Sequence, residues 1–438
     1  MAEVAIPSKA KDRLNELSAS DAARLIAGGD LSSEALVRDC LARIDAREAT
    51  VRAWAFLDPE LALRQARERD RTPARGALHG VPIGVKDVFD TADMPTQMGS
   101  PIYAGWRPPS DAACVALMRA AGAVVLGKTV TAEFAGMTPG DTRNPHDPSR
   151  TPGGSSSGSA AAVADFMVPL ALGTQTGGSV LRPASFCGIV GYKPSFGRYN
   201  RSGLKMAAES LDTIGSLARS IEDVELVDAV LLGAPPRKAE PLCEPPRIGV
   251  CRTHLWETAK PETMAAVEDS AARLARARAS VREVALPEEF AGLTGARDLV
   301  GSVERSRAIA YEWHHHCDRI SERLRQSLEL GSQTPHEEYA GALELAARCR
   351  ERLARVFEDF DLLLAPCVPG EAPASLESTG DPRLQRLWTA LHVPALTLPT
   401  HQGPGGLPVG IQLVAPMLGD FRLFDSARWV WEKLGGPR

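Results

Sequence analysis

The sequence predicts an α/β fold built on a layered sheet, formed by one large domain with an inserted layer of helices. From His79 onward, the chain consists of short apolar runs broken by glycine and proline, which are typical of buried strands. Segments rich in alanine and leucine lie between these runs, and strands that alternate with helices favour a layered sheet. The 438 residues are enough to bury a substantial core without disulfide bonds.

The N-terminal part, residues 18–70, is predicted to be helical. Either Ser18 or Ser20 can cap a first helix, which a glycine pair ends, and either Ser32 or Ser33 can cap a second. Apolar side chains recur in the second segment at the period of a helix, so we expect one face of that helix to be buried.

The central part, residues 78–230, has the clearest alternation of strands and helices. Its predicted strands are 81–85, 123–126, 168–172 and 189–190, and its predicted helices are 111–121 and 157–164.

The remainder of the chain returns to the same pattern after a helical segment. Proline content makes residues 233–247 the best candidate for a linker. We then expect a variable helical layer over residues 250–360 and C-terminal strands with a closing helix over residues 361–436. The predicted elements are a strand at 247–251, helices at 261–279 and 300–358, strands at 361–367 and 395–399, and a helix at 421–434.

The composition is that of an ordinary soluble protein. The net charge of −5 gives no overall bias toward nucleic acid. The eight cysteines are scattered with no C-x-x-C pair, as expected of free thiols in a reducing compartment. The N-terminus has no apolar segment typical of a secretory signal, and no apolar run reaches the length of a membrane span. We therefore expect a cytoplasmic protein that binds neither nucleic acid nor membranes.

The segment GAVVLGKT, residues 122–129, matches the phosphate-loop pattern letter for letter. A phosphate loop needs an exposed backbone between a strand and a helix, whereas the middle residues here are those of a strand. We therefore expect a buried strand there, and nucleotide binding is a weak alternative.

His314, His315 and His316, followed by Cys317, are the one cluster of residue types that bind metals. Consecutive helical residues point about 100° apart, so these side chains cannot converge on one ion without unwinding the helix. We expect no metal and no cofactor.

Two glycine–serine turns carry the main chemical signal of the chain. They are Gly153-Gly154-Ser155 and Gly177-Gly178-Ser179, separated by an alanine-rich segment and a short apolar strand. Paired glycines allow a sharp turn and leave amide N–H groups unshielded. Such a turn can hold a hydroxyl nucleophile beside amides that receive a developing negative charge, which indicates acyl transfer.

Lys86 directly follows a predicted apolar strand and is the candidate base. Burial disfavours the charged ammonium and lowers its pKa. A lysine that is neutral for this reason can accept a proton from a serine hydroxyl.

Four segments resemble the core of the amidase signature family: LHGVPIGVKDVFDT, NPHDPSRTPGGSSSGSAAAVA, LALGTQTGGSVLRPASFCGIVGYKPSFGR and SLDTIGSLARSIEDV. The tail VPALTLPTHQGPGGLPVGIQLVAP resembles the C-terminal strands of that family. The likeness spans residues 18–438 and is weakest from 235 to 360. It implies a single α/β/α domain, residues 1–438, around a mixed and mostly parallel sheet.

The resemblance also implies roles for individual residues. In that family a Ser-cisSer-Lys triad cleaves the amide, so Ser179 would be the nucleophile, Ser155 the bridging serine and Lys86 the general base. The implied oxyanion hole consists of backbone amides, those of Thr176, Gly177, Gly178 and Ser179.

Two positions depart from the common family pattern GTDTGGSIR-x-P. Gln175 replaces the aspartate, and Arg182 lies three residues after the nucleophile instead of two. These departures, with DTADMPTQMGS and SDAACVALMRAAGA, resemble malonamidase-type members, in which an arginine holds the free carboxylate of the substrate. We therefore expect Arg182, Gln175 and Ser156 to contact substrate, although Arg182 could instead anchor the turn at Pro183.

The predicted function is hydrolysis of a small amide, such as malonamate, by an enzyme whose partners are its substrate and a second copy in a homodimer. Trp388, Thr389 and His392 are candidate pocket residues. One alternative is the glutaminase subunit of a tRNA-dependent amidotransferase, which shares the triad; Gln175 and Arg182 count against it. The other alternative is a nucleotide-binding protein.

Overall fold

The computed structural model describes residues 13–436, and eleven strands in this range form one mixed sheet. In chain order the strands are β1 (Trp54–Leu57), β2 (Pro82–Lys86), β3 (Val124–Thr129), β4 (Leu170–Gln175), β5 (Val190–Lys193), β6 (Thr213–Ala218), β7 (Arg247–Val250), β8 (Ser280–Glu283), β9 (Leu362–Pro366), β10 (Ala395–Gln402) and β11 (Pro408–Val414). In space the order is β1-β3-β2-β4-β6-β5-β10-β11-β9-β7-β8. The N-terminal twelve residues, on which the expectation of no secretory signal depends, lie outside the described residues.

The sheet is mixed as predicted, but the expectation that it is mostly parallel is wrong. The parallel pairs are β2–β3, β2–β4, β7–β8 and β7–β9, and the six other pairs in the described chain are antiparallel. The connection between β10 and β11, residues 403–407, shows the reason. A loop this short joins only antiparallel strands, because a parallel pair needs a long crossover.

The helices of the described chain are α1 (Ala19–Gly28), α2 (Ser33–Val51), α3 (Pro59–Arg71), α4 (Ala113–Ala120), α5 (Ser157–Ala164), α6 (Leu181–Cys187), α7 (Ile221–Leu231), α8 (Pro261–Arg276), α9 (Leu293–Ala308), α10 (Ala310–His315), α11 (Glu322–Gln333), α12 (His336–Asp359), α13 (Arg383–Ala390) and α14 (Asp420–Lys433). None of them is both long and apolar enough to cross a bilayer.

Helices cover both faces of the sheet, as strand β9 shows. Its Leu362 and Leu364 belong to a core cluster that includes residues of α8 and α14. The alternate residues Leu363 and Ala365 belong to a separate cluster with residues of α12 and α13. Successive side chains of a strand point to opposite faces, so these clusters lie on the two sides of the sheet.

The predicted caps of the first two helices are confirmed. The Ser18 hydroxyl accepts a hydrogen bond from the Asp21 amide at 3.0 Å, and the Ser32 hydroxyl accepts one from the Ala35 amide at 3.1 Å. Gly29 ends α1 in the left-handed conformation, with φ of 80°.

Two central strands extend further than their apolar runs. Strand β4 continues through Thr174 to Gln175, and β3 continues through Lys128 to Thr129, with every residue of both strands buried. The polar residues are accommodated because hydrogen-bonding partners reach them inside the fold. The apolar-run criterion does not identify β1, β6, β8 or β11; the last of these lies in the tail that resembles the C-terminal strands of the family.

The ends of β2 and β4 set the position of the site. These strands are parallel neighbours, with Ile83 opposite Leu170 and Val85 opposite Leu172. The carboxyl ends of parallel neighbours meet at the same edge of a sheet, so Lys86 at the end of β2 lies beside the turn that follows β4.

Candidate active site

Lys86 is enclosed where β2 ends. Its side chain is 0% exposed. Its Nζ donates hydrogen bonds to Ser155 Oγ at 2.8 Å and to Thr174 Oγ1 at 2.7 Å. The amine therefore lies directly against one of the two predicted catalytic serines.

Burial lowers the pKa of Lys86 from 10.5 to about 7, because the ammonium form loses its hydration. The Asp212 carboxylate opposes this shift, and the Arg305 guanidinium adds to it. A substantial fraction of the amine is therefore neutral near pH 7 and able to accept a proton.

The two glycine–serine turns lie against each other. The Ser156 amide donates to the Ser179 carbonyl at 3.3 Å, and the Gly154–Ser155 peptide bond is cis. Gly153 has a φ of 86°, and a Cβ there would lie 2.7 Å from the Pro183 Cα, so only glycine fits.

Ser179 borders a cleft, whereas Ser155 lies behind it, with exposures of 8% and 1%. Within residues 13–436 the Ser179 hydroxyl makes no hydrogen bond. The structure thus joins Lys86 to Ser155 and places Ser179 on the adjoining turn, with no hydrogen bond between the serine hydroxyls.

Four successive residues that carry the backbone amides of the predicted oxyanion hole border the same cleft: Thr176, Gly177, Gly178 and Ser179. In the described part of the chain, none of these four N–H groups has a hydrogen-bond acceptor. Amides without acceptors beside a hydroxyl are suited to bind an oxyanion. Gly178 is required by close packing, because a Cβ there would lie 2.6 Å from Oε1 of the buried Gln385.

Gln175 supports this turn and does not border the cleft. It is fully buried, and its Oε1 accepts hydrogen bonds from the Val180 amide at 2.9 Å and the Leu181 amide at 3.1 Å. Its Nε2 donates to Thr389 Oγ1 at 3.1 Å. With both ends of the amide bonded, the predicted contact with substrate is not supported.

Ser156 is likewise internal. Its hydroxyl donates to the Thr174 carbonyl and accepts from the Thr174 amide, each at 3.2 Å. Ser156 is 0% exposed, and its hydroxyl connects its turn to β4. The predicted contact with substrate is therefore not supported.

Thr176 is held from two sides. Its hydroxyl donates to Asp212 Oδ1 at 2.5 Å, and its carbonyl accepts from Arg297 Nη2 at 2.6 Å. Asp212 and Arg297 therefore orient the first peptide of the candidate oxyanion hole. Together with Thr174, they are site residues that sequence patterns missed, because their proximity depends on strand pairing and on a distant helix.

The cleft has a volume of about 700 Å³ and is rich in arginine. The arginines that border it are Arg182, Arg297, Arg305, Arg323, Arg383 and Arg386.

Of the candidate pocket residues, Trp388 and Thr389 are fully enclosed on α13, and His392 stacks on Phe196. These three do not border the cleft; Arg383 and Arg386 of the same helix do.

Arg182 is the most deeply buried of the cleft arginines, with 4% of its surface exposed. Its Nη2 donates to the Gly154 carbonyl at 2.5 Å and to Thr379 Oγ1 at 3.0 Å. Its Nε and Nη1 have no partner within residues 13–436. Burial lowers its pKa to about 9, and the nearby Arg386 cation adds to this effect. Arg182 thus contacts the turn before Ser155 and retains unused hydrogen-bonding capacity.

A buried ion pair fixes the chain immediately after Lys86. Asp87 Oδ1 lies 3.1 Å from Lys128 Nζ, and both side chains are almost completely buried. The Lys128 ammonium also donates to the Phe89 and Pro95 carbonyls and to the Thr96 hydroxyl. The lysine of the phosphate-loop-like segment is therefore enclosed in β3, as its apolar neighbours predict.

Replacing Asp87 by Asn is expected to lower the free energy of unfolding by about 3–5 kcal/mol, because it leaves the buried Lys128 charge without its carboxylate. Urea unfolding followed by circular dichroism measures the change. The matched control is Asp141→Asn, since the Asp141 side chain is 86% exposed and lies 4.0 Å from Arg52. We expect the control to change stability by less than about 0.5 kcal/mol; equal losses would contradict the assignment.

The histidine cluster shows no convergent arrangement. The end of α10 carries His314 and His315, and the ring of His315 packs on Tyr311. Within residues 13–436 no group of three His, Cys, Asp or Glu side chains is arranged to hold a metal ion.

Comparison with known proteins identifies the family. The model of the family described as "Amidase" matches residues 35–424. A glutamyl-tRNA(Gln) amidotransferase subunit from Chloroflexus aggregans is 35% identical, over 94% of this chain and 94% of that protein. Among solved structures, one described as "Crystal structure of amidase" has a TM-score of 0.88 at 32% identity, covering 96% of this chain and 100% of the other. Native peptide amidase from Stenotrophomonas maltophilia has a TM-score of 0.82 at 30% identity, covering 97% and 98%.

The relatives also correct the expectation about partners. Several of them, at 33–36% identity, are named as one subunit of an amidotransferase, and such a subunit works beside other chains. The expectation that a small-molecule substrate and a second copy in a homodimer are the only partners is therefore wrong. The finer likeness to malonamidase-type members is not confirmed by these comparisons.

The fold and the family match agree over nearly the whole chain. The buried lysine bonds to the first glycine–serine turn, and that turn packs on the second turn, which borders the cleft. The chain belongs to the amidase family and is an enzyme that cleaves amide bonds.

Proposed function

We propose that the protein hydrolyses a small linear amide that carries a carboxylate, through an acyl-enzyme on Ser179. One observation supports this most strongly: Ser179 and four acceptor-free amides border the same cleft as the buried and incompletely bonded Arg182. A hydroxyl, an oxyanion site and a carboxylate site in one cleft are the parts that such a reaction requires.

The first half-reaction forms the acyl-enzyme. Neutral Lys86 accepts the Ser155 proton while Ser155 accepts the Ser179 proton, and Ser179 Oγ attacks the amide carbonyl. The oxyanion receives hydrogen bonds from the backbone amides. The proton then returns through Ser155 to the nitrogen of the substrate, the C–N bond breaks, and ammonia or an amine leaves.

The second half-reaction consumes water. Water loses a proton along the same relay and attacks the acyl carbonyl, and the proton returns to Ser179 as the acid is released. The relay needs a hydrogen bond between Ser155 and Ser179, which the free enzyme does not form. Catalytic hydrogen bonds are commonly longer in free enzymes and shorten when substrate is bound.

Arg182→Gln is expected to lower kcat/KM for malonamate by about 10- to 100-fold, because a charge-assisted pair with the carboxylate is lost. The matched neutral substrate is 3-methylbutanamide, in which an isopropyl group replaces the carboxylate. Its kcat/KM should change by less than about threefold. Ammonia release measures kcat/KM for both substrates. Equal losses of kcat/KM for the acidic and the neutral amide would show that Arg182 only supports the turn at Gly154.

A second candidate, the glutaminase subunit of an amidotransferase, is favoured by the names of the relatives. L-Glutamine carries an ammonium group as well as a carboxylate, so its site needs an available carboxylate. The two aspartates of the cleft are both engaged: Asp298 by Arg297 and Arg386, and Asp381 by Arg383. Ammonia release from glutamine exceeding that from malonamate would favour this candidate.

A further inference from the structure

The cleft carries an unusual excess of positive charge. Six arginines and two aspartates border it, although the whole chain has a net charge of −5. The six arginines come from α6, α9, α11 and α13, segments far apart in the sequence. Such a concentration of positive charge in a cleft attracts anionic ligands.

The two aspartates neutralise only part of this charge. Asp298 lies 3.0 Å from Arg297 and 2.6 Å from Arg386, and Asp381 lies 2.6 Å from Arg383. Within residues 13–436, Arg182, Arg305 and Arg323 have no carboxylate at ion-pair distance. Asp212 and Asp381 offset part of the charge of Arg305 and Arg182 from beyond ion-pair distance, and direct pairing of these three cations is left to a ligand.

Arg305 and Arg323 belong to a wall formed by α9 and α11. Arg305 Nη1 donates to the Phe134 carbonyl at 3.2 Å, and Arg323 Nη1 donates to the Glu377 carbonyl at 2.5 Å. A Cβ on Gly136 would lie 3.2 Å from Arg305 Nη1 and 3.9 Å from Leu324 Cδ1, so both helices meet at this glycine. The wall formed by α9 and α11 thus contributes two arginines to the cleft.

Four of the buried arginines also repel one another. Burial lowers the pKa of Arg305 to about 10; the Asp212 carboxylate opposes this shift and the Arg297 cation adds to it. Burial is also the main cause that lowers the pKa of Arg386 and of Arg182, with smaller contributions from the Arg297 cation to Arg386 and from the Arg386 cation to Arg182. A cluster that destabilises its own charges gains most from a ligand that brings more than one negative charge.

We infer that the natural substrate is an amide with two anionic groups, one held at Arg182 and the second at Arg305 and Arg323. This inference rests on the proposed function, since it specifies the substrate of the same site. One carboxylate at Arg182 leaves Arg305 and Arg323 without a directly paired carboxylate, whereas a dianion supplies a carboxylate to each of the two sites. An amino acid amide fits less well, because its ammonium finds no free carboxylate there.

The test compares three amides on one five-carbon backbone. Pentanamide is neutral, glutaramate carries one carboxylate, and 3-carboxyglutaramate (the terminal monoamide of tricarballylic acid) carries two. We expect kcat/KM of the unmodified enzyme to be about tenfold or more higher for the dianion than for glutaramate. Equal values for the two acids would overturn the inference.

The variants are Arg305→Gln, Arg323→Gln and the double substitution. Because Arg305 also lowers the pKa of Lys86, its removal changes the turnover of both acids alike, so the comparison uses the ratio of their kcat/KM values. We expect the double variant to lower the ratio of dianion to glutaramate about tenfold. Arg323→Gln alone should lower kcat/KM for the dianion mainly through KM, with glutaramate changed by less than about threefold. Arg355→Gln, which removes an exposed charge of α12 away from the cleft, is the matched control and should change neither. Equal losses for both acids would also overturn the inference. If the variants that lack Arg305 fail to fold, Arg323→Gln alone provides the test.

A binding measurement separates this inference from the proposed function. Calorimetry with Ser179→Ala compares the binding of 3-carboxyglutaramate, which carries two carboxylates, with that of glutaramate, which carries one. If 3-carboxyglutaramate binds about tenfold more tightly and the added double substitution removes the difference, the second anion site stands, even if no amide is hydrolysed. If amides are hydrolysed but these two ligands bind equally, the proposed function stands and the second anion site is wrong.

Discussion

Replacing Ser179 by Ala is expected to lower kcat for amide hydrolysis by about 10⁴-fold or more, with folding unchanged. The reason is that Ser179 Oγ is the proposed nucleophile beside the four acceptor-free amides, whereas the Thr176 hydroxyl of the same turn is bonded to Asp212. Residual activity would come only from the oxyanion site and from substrate binding. Ammonia release from malonamate and glutaramate measures the loss.

Labelling with a fluorophosphonate provides an independent readout of the same prediction. The unmodified enzyme should be labelled at one serine, and Ser179→Ala should not be labelled, because the reagent requires an activated hydroxyl. The matched control is Ser202→Ala, which removes an exposed hydroxyl outside the cleft. If Ser179→Ala retains labelling or turnover, the nucleophile lies elsewhere.

Lys86→Met and Lys86→Arg are both expected to lower kcat/KM by about 10³- to 10⁴-fold. Methionine has no basic group, and the guanidinium of arginine does not lose its proton in proteins. Arginine retains a positive charge, so loss in this variant shows that the reaction needs a neutral base and not merely a cation. Circular dichroism and the unfolding midpoint identify any variant that fails to fold.

The pH dependence of the unmodified enzyme tests the same assignment without a substitution. Burial lowers the pKa of Lys86 to about 7, so the fraction of neutral amine rises as pH increases through 7. We therefore expect kcat/KM to rise about tenfold per pH unit below 7 and to level off above it, since kcat/KM reports the ionisation of the free enzyme.

Lys193 offers a matched control for the lysine. It is also 0% exposed, burial also lowers its pKa to about 7, and its Nζ donates to the Pro194 carbonyl at 2.7 Å, away from the serines. Lys193→Met should leave the inflection of the pH profile in place. A profile without an inflection between pH 5 and 9, or one abolished by Lys193→Met, would exclude Lys86 as the base.

Much of the local structure is predictable because its causes are local. The caps at Ser18 and Ser32 depend on hydroxyls that reach amides three residues away, and they form as predicted. The sharp turn at Gly153 depends on a positive φ that the residue type permits. The buried strand at 122–129 follows from its apolar residues, even though the segment matches a nucleotide-binding pattern.

Contacts between residues far apart in the sequence are harder to predict, and the wrong predictions concern such contacts. The resemblance implies a mostly parallel sheet, but most strand pairs are antiparallel, because strand direction depends on how each connection crosses the sheet. Gln175 and Ser156 are correctly placed beside the site by their position in the chain. Their side chains point inward, however, because partners on β4, α6 and α13 satisfy them.

The sequence by itself determined which residues have the required chemistry: two glycine–serine turns, a lysine after a strand, and an arginine after the second turn. Only the tertiary structure decided that the pKa of Lys86 is lowered to about 7, since desolvation depends on everything packed around the amine. It also brought arginines from four helices to one cleft. These arginines lie too far apart in the sequence to form a recognisable motif, and only folding brings them close enough to interact.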